Sequence, residues 1–383
     1  MFKFTQLMSG IYIHIPYCKK ACSYCDFHFS TNLNNKPELV KSLLQEIDLR
    51  HNYLNNNTLQ SVYFGGGTPS LLSFDELFQI LNKIKQYFKF DNAIEITLEC
   101  NPDDITEESL NNWLKLGINR LSVGLQSFNN DELLWMNRAH NAEQSLNCIE
   151  FAKKAGFKNI SIDLIYGSKF QTENTWLSTI DTLLKLNIQH VSAYNLTIEN
   201  GTLLGNALKK GKEPPINDDF CAWQFEKLSD KLTNDGFVHY EISNFGLPNF
   251  IAVHNSNYWK QKPYLGIGPS AHSYNLDSRQ WNVKSNANYI QSLKNKKPFF
   301  EIETLSIENK FNEYIFTGLR TIWGCNLNDI NSQFGEKYLD YCKSVLTKHK
   351  ESFIQKENNF SLTTSGRLIA DKLASEFFYL IKN

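Results

Sequence analysis

Six times between residues 11 and 235 the chain passes from a short apolar run into a longer segment whose apolar residues recur at helical spacing. The runs lie at 11–15, 60–64, 94–99, 120–125, 159–165 and 190–196, and the helical segments at 37–50, 74–88, 107–116, 142–155, 175–186 and 220–235. In the first of these helices Leu39, Leu43, Leu44 and Ile47 share one face. Strand and helix in succession leave few options, because each helix must cross back over the sheet and so makes the strands parallel. Six units fall short of an eight-fold barrel and fit its partial version, an α/β fold of the (β/α)6 kind. The connections differ too much in length for a solenoid, and no internal repeat is visible.

A further strand is expected at 238–242, followed by an irregular stretch rich in Asn, Pro and Gly from 244 to 285. Beyond residue 298 the pattern turns helical, at 311–319, 327–334, 336–348 and 365–380, with a two-strand wing at 353–363 around Asn358 and Asn359. The expected organisation is a barrel core over 1–200, a region completing the barrel over 201–297, and a C-terminal helical, winged-helix-like domain over 298–383.

Bulk properties exclude some functions. The 39 basic and 40 acidic residues leave a net charge of −1, with no electrostatic footprint for nucleic acid or an anionic membrane. Residues 1–10 lack the apolar core of about 7–15 residues that marks a signal peptide. No stretch approaches the roughly 20 apolar residues of a membrane span. A cytoplasmic location is expected, where the eight cysteines stay reduced. Three of them crowd into residues 18–25 while Cys100, Cys148, Cys221, Cys325 and Cys342 are scattered, which suits a metal or cluster site better than a disulfide framework.

The crowded segment, Cys18-Lys-Lys-Ala-Cys22-Ser-Tyr24-Cys25-Asp26-Phe27-His28, directly follows the first strand. It therefore lies where α/β barrels build their sites, at the strands' C-terminal ends. Three thiolates can hold three irons of a 4Fe-4S cubane and leave the fourth iron open, whereas electron-transfer ferredoxins close the cluster with four. With His28 the same cysteines would also make a Cys3His zinc site. The spacing C-x3-C-x2-C, with an aromatic residue before the last cysteine, is the radical SAM (S-adenosylmethionine) signature.

Other strand ends carry polar or glycine residues: Gly65-Gly66-Gly67-Thr68-Pro69 after the second, Glu99-Cys100-Asn101-Pro102 after the third, and Gln126 after the fourth. The fifth gives Asp163 and Tyr166-Gly167, and the sixth Tyr194-Asn195. The glycine run lacks the Gly-Lys-Ser/Thr of a phosphate loop, so nucleoside triphosphate binding is unsupported. Alone it reads equally well as a tight turn or as a place where a ligand approaches the backbone. A single polar strand end is ordinarily a core residue bonded to backbone. The set together suits a ligand with an ammonium, a carboxylate, ribose hydroxyls and an adenine edge, which SAM has.

With the ordered motifs CxxxCxxC, GGGTP, ExNP, NRLSxGxQSF, NRxH, DLIYG and HNxxYW, the chain over about residues 10–370 resembles the HemW branch of the oxygen-independent coproporphyrinogen III oxidase family. The resemblance implies a 4Fe-4S cluster on Cys18, Cys22 and Cys25, and SAM contacts from Tyr12, Gly66, Gly67, Thr68, Glu99, Gln126, Arg138 and Asp163. Glu99 would meet the ribose hydroxyls and the Gly66 region the methionyl ammonium. Gln126, Arg138 and Asp163 line a second cofactor site in the oxidases themselves. In the family the open iron chelates SAM and a reduced cluster passes one electron into its sulfonium.

Two departures from the oxidases stand out. They carry a further cysteine two places after the third, where this chain has Phe27, and a long extension before the first strand, where this chain has 17 residues ahead of Cys18. Both argue against decarboxylation of coproporphyrinogen III, leaving enzymatic turnover an open question. They favour a heme chaperone that delivers heme to respiratory apo-hemoproteins, with peripheral membrane contact arising only through those partners, and with a flavodoxin or ferredoxin as electron donor. The resemblance assigns heme to the HNxxYW segment and so to His254. The residues themselves leave His254 equally able to cap a loop that Tyr258 and Trp259 anchor. His272 is a second heme candidate, in a Gly/Pro/Ser turn. His14 and His28 flank the cysteine loop, where hydrogen bonding accounts for them, and His140 reads as a helix-entry residue without a ligand.

Overall fold

The computed structural model describes residues 9–379, so the reading of the first residues as free of a signal core lies mostly outside the described chain. The six expected strands form: β1 (Ser9–Ile15), β2 (Thr58–Gly66), β3 (Lys89–Cys100), β4 (Arg120–Gln126), β5 (Ile160–Tyr166) and β6 (His190–Asn195). They pair in chain order, each neighbour parallel. Between and after them run α1 (Lys36–Arg50), α2 (Phe74–Tyr87), α3 (Glu107–Leu116), α4 (Asn130–Trp135), α5 (Ala142–Ala155), α6 (Glu173–Lys185), α7 (Leu203–Lys209) and α8 (Asp218–Asn234). The short α4 and α7 were not expected.

Helix entry is written locally. Ser73, Thr106, Asn141 and Thr172 each cap the helix that follows through reciprocal capping boxes, with Glu76, Ser109, Gln144 and Thr175 reaching back. Each such cap contributes about 1 kcal/mol and fixes where the loop ends.

Parallel strands are usually apolar on both faces; these alternate. Ile11, Ile13, Ile15, Val62, Phe64, Ile96, Leu98, Leu121, Val123, Ile160, Ile162 and Val191 pack outward with the helices in one core. The intervening positions are Tyr12, His14, Ser61, Tyr63, Glu95, Thr97, Glu99, Arg120, Ser122, Ser161, Asp163, His190 and Ser192. Such a face survives only if it pairs within itself or meets water and ligand, so the inner surface is a polar lumen.

The stretch expected to be irregular is not. After β7 (Val238–His239), shorter than the expected 238–242, come β8 (Asn244–Gly246), α9 (Val253–Trp259), β9 (Tyr264–Ile267), β10 (His272–Tyr274), β11 (Ser278–Asn282), α10 (Asn286–Lys294) and β12 (Phe300–Thr304). Strands of two to five residues are too short to show alternation, and their partners decide them. β9 pairs parallel to β1, and β10, β11 and β12 follow antiparallel; β8 and β7 extend β6 antiparallel. The result is one twelve-stranded sheet, edged among the described strands by β12 and β7, curved but not closed. A buried node fastens the added strands to α1: Glu46 takes Arg50 (3.0 Å), Asn282 (2.8 Å), the Gly268 amide (2.8 Å) and the Tyr289 hydroxyl.

The C-terminal part has α11 (Ile307–Leu319), β13 (Cys325–Asn326), α12 (Leu327–Phe334), α13 (Glu336–Lys348), β14 (Phe353–Lys356), β15 (Asn359–Leu362), α14 (Thr364–Leu368) and α15 (Ala370–Glu376). The wing gains a third strand, in the order β13-β15-β14. The helix expected over 365–380 breaks at Ile369, and residue 380 lies outside the described range. Phe311, Ile315, Ile330, Cys342, Phe360 and Phe377 form a separate core here.

Candidate functional site

The cysteine loop leaves the top of β1 and returns beside it, Tyr17 bridging to Ser30 and the Cys18 amide donating to the Ser30 carbonyl at 3.1 Å. The turn after α4 holds its far side: Ser23 bonds the carbonyls of Met136 (3.1 Å, through its amide) and Trp135 (2.9 Å, through its hydroxyl), and Asn137 donates to the Ala21 carbonyl. Cys18, Cys22 and Cys25 are unpaired thiols, each partly exposed. Burial raises the Cys18 thiol and pushes Cys25 up to about 11, so a metal's charge is needed to ionise them near neutrality.

Among the described residues no three His, Cys, Asp or Glu side chains converge on one point, as ligands of a single zinc ion would. A cubane asks something else, since each thiolate binds a different iron. Arg138 supplies the outer contact: Nη1 donates to Cys22 Sγ at 3.2 Å, while Nη2 is fixed by Asn101 Oδ1 and the Gly124 carbonyl, both at 2.7 Å. Thr68 lies against the Cys18 thiol and accepts from Asn101 Nδ2 at 3.3 Å.

Below the loop, Glu99 ends β3. It accepts from the Tyr63 hydroxyl at 2.7 Å and the Gly66 amide at 3.1 Å. Burial pushes its carboxyl up to about 7, the bond from Tyr63 opposing and Asp163 adding to the rise. Asp163 is pushed up to about 6, again by burial, with Arg120 opposing. Tyr12 donates to His14 Nδ1 (3.0 Å), whose Nε2 donates to the His28 carbonyl (3.2 Å), a neutral tautomer matching its pKa of about 4. Gln126 has a φ of 68°, rare for a residue with a side chain and common at ligand-binding turns; its amide lies over Gly124 beside Arg138.

The lumen is built to receive something polar. Tyr194 at its wall is 43% exposed although protein surrounds it, and Thr97 Oγ1, Arg120 Nε and Arg138 Nε are buried without partners. The glycine run serves the protein's own packing first. A Cβ on Gly66, at φ 109°, would stand 2.6 Å from the His14 ring, and one on Gly67 2.6 Å from the Tyr17 carbonyl oxygen.

His254 stands apart from this mouth. It opens α9, where Glu95 accepts the amides of Val253 (2.8 Å) and His254 (3.0 Å). Its Nδ1 pairs with the Ser61 hydroxyl at 2.9 Å and its ring stacks 5.0 Å from that of Tyr63. Burial, with Arg120 adding, lowers its pKa to about 3. The cleft beside it, lined by Gly10, Ser61, Asn257, Tyr258 and Pro263, has a volume of about 10 Å³. A larger cavity of about 200 Å³ opens just beyond the C-terminal ends of β5 and β6, lined by Trp135, Gly167, Lys169, Leu196, Glu213 and Phe220.

The geometry has counterparts among known proteins. The Radical SAM superfamily model matches residues 12–183. The heme chaperone HemW of Bacillus subtilis is 32% identical over 378 residues, covering 97% of this chain and 99% of its own. The chain belongs to the HemW family. The heme chaperone HemW of Lactococcus lactis is 34% identical over 331 residues, 86% of each chain. The structure of coproporphyrinogen III oxidase (HemN) from Escherichia coli, a radical SAM enzyme, matches with a TM-score of 0.81 over 97% of this chain and 90% of that one. At 22% identity that match establishes the fold.

Membership of the radical SAM superfamily implies a 4Fe-4S cluster and SAM, and the donor set fits both. Three thiols on one strapped loop, a cation on Cys22 and unpaired polar groups in the lumen are what such an assembly needs. Sequence reasoning missed Tyr63, Glu95 and Ser61, which hold Glu99, α9 and His254, and Arg120, whose charge acts on Asp163. Their signal was present as polar residues at alternate positions within otherwise apolar strands.

Proposed function

We propose that the chain is a heme chaperone that carries a 4Fe-4S cluster and SAM. The observation that carries this is the likeness to HemW relatives along nearly the whole chain, together with a cysteine loop that offers three thiols and no fourth. Cys18, Cys22 and Cys25 hold the cluster, and SAM lies over Tyr12, Gly66, Gly67, Thr68, Glu99, Gln126, Arg138 and Asp163. The cluster, when bound, supplies the electron that reductive cleavage of SAM requires.

The chain's own residues do the positioning. Glu99, held by Tyr63 and Gly66, accepts from ribose hydroxyls, and Arg138 ties the cluster loop to β4. Phe27, 71% exposed at the position where the oxidases carry a cysteine, speaks against coproporphyrinogen III decarboxylation. The same proposal includes a flavodoxin or ferredoxin donor, respiratory apo-hemoproteins as recipients, a cytoplasmic location, and a division at 200 and 297. No helix among the described residues is long and apolar enough to cross a membrane.

The test is anaerobic reconstitution with iron and sulfide, then heme loading and mixing with an apo-hemoprotein. The expected result is a brown protein that binds heme and passes it on. Sustained conversion of coproporphyrinogen III to protoporphyrinogen would overturn the chaperone reading.

A further inference from the structure

The heme-carrying reading needs an iron ligand, and the nine histidines, all of them described, can be compared directly. A ligand needs a free ring nitrogen and room for a flat macrocycle about it. His14, His190 and His239 have both nitrogens hydrogen-bonded. His28 (to Asn286), His51 (to the Asp48 carbonyl, and stacked on Tyr87), His140 (to the Leu125 carbonyl) and His349 (to Glu376) each engage one ring nitrogen, and none of them is more than partly exposed. His254 is pinned to Ser61 and Tyr63, beside a cleft that would admit about one water.

His272 differs from all of these. It is the exposed one of the nine, and among the described residues no hydrogen bond engages its ring. It opens β10 and faces Trp281 across the β10–β11 ladder, the two rings 6.4 Å apart. Trp281 is itself partly exposed, so an aromatic wall adjoins the imidazole. Lys284 follows on the surface without a carboxylate partner among the described ion pairs, and Arg279 lies on the same strand as Trp281. Partial burial, with Arg279 and Lys284 adding, lowers the pKa of His272 and favours the neutral imidazole that binds iron.

The location is also informative. Alternation along β9 and β10, through the pairs Tyr12–Gly266 and Tyr264–Tyr274, puts His272 on the same face of the sheet as Tyr12 and His14. His14 lies near enough to His272 to feel its charge. Asn286, two residues after Lys284, bonds His28 of the cysteine loop at 2.8 Å. The His272 face thus adjoins the proposed cluster, whereas His254 is enclosed beneath the rings of Tyr12 and Tyr63, 6.3 and 5.0 Å away.

We propose that His272 is the axial ligand of the carried heme, with Trp281 flanking the macrocycle and Lys284 meeting a propionate. His254 is then a positioning residue, joining α9 to the lumen through Ser61 and Tyr63. This assignment rests on the heme-carrying reading.

The test is titration of the full chain with ferric heme, reading the Soret band, the low-spin EPR signal and the dissociation constant. The variants are His272→Ala, His254→Ala and Lys284→Glu, each checked for folding by circular dichroism. Since losing even an indirect partner of a metal costs about 10–100-fold, His272→Ala should weaken binding by about tenfold or more and abolish the histidine-type spectrum. Added imidazole should restore that spectrum, which a merely structural role would not allow. Lys284→Glu should weaken binding with the spectrum unchanged, and a folded His254→Ala should keep both. Heme binding that survives His272→Ala with an unaltered spectrum overturns this site and leaves the chaperone reading standing. Wild-type protein that leaves the Soret band of free heme unshifted removes both.

Discussion

Replacing Glu99 by Gln should stabilise the cluster-free protein at pH 8 and destabilise it at pH 5. The wild-type carboxyl has a pKa of about 7 in the fold against an ordinary 4.5, chiefly through burial. Because the folded state holds this proton more tightly, it binds more protons than the unfolded chain between those values. Stability therefore falls as pH rises from about 4.5 to 7 and is level on either side. The full difference, at 1.36 kcal/mol per pH unit, is about 3 kcal/mol, and less in practice because water enters the lumen. Glutamine removes that slope. It also turns an NH2 toward either the Tyr63 hydroxyl or the Gly66 amide, both now donors to the carboxylate; one mismatched buried pair costs about 1–2 kcal/mol. The variant should thus gain about 1 kcal/mol at pH 8 and lose about as much at pH 5, a Tm difference of about 2 °C that changes sign. Thermal unfolding of both proteins, followed by circular dichroism at pH 5, 6.5 and 8 without SAM, measures it. A Tm difference of the same sign and size at pH 5 and pH 8 would show that Glu99 does not hold a raised proton affinity.

Arg138→Met removes the guanidinium from Cys22 Sγ and should lower cluster retention against an iron chelator by about 10–100-fold, read from iron content and visible absorbance. Glu46→Gln leaves Arg50 buried without its charge partner and should cost about 3–5 kcal/mol in urea unfolding, whereas Tyr289→Phe at the same node should cost about 1–2. Gly66→Ala should unseat the cysteine loop, because its Cβ meets the His14 ring; proteolysis within residues 16–30 should accelerate even without a cluster.

The proposed cluster ligands stand out because the spacing of Cys18, Cys22 and Cys25 is contained in one short segment, and a loop that short keeps its residues together in any fold. Glu99, Gln126 and Asp163, proposed for the SAM site, stand out for a related reason: a polar residue ending an apolar strand is visible in one dimension. Tyr63 and Arg120 were not, since each matters through a partner on another strand. His254 and His272 show the difference most clearly. The motif drew attention to His254, yet pairing with Ser61 and Tyr63 encloses it. His272, in a segment read as a turn, stands on a strand with its ring free.

By itself the sequence determined the six-fold alternation of strand and helix, the helix entries and the cysteine loop, all of which depend on residues within a few positions of one another. Only the tertiary structure decided that the sheet grows to twelve strands, that its inner face is a polar lumen, and which histidine stands exposed with its ring unbonded. Those outcomes depend on pairings between residues tens or hundreds of positions apart. Burial, which governs both the pKa of Glu99 and the availability of a ligand, is a property of the packed chain and of no segment alone.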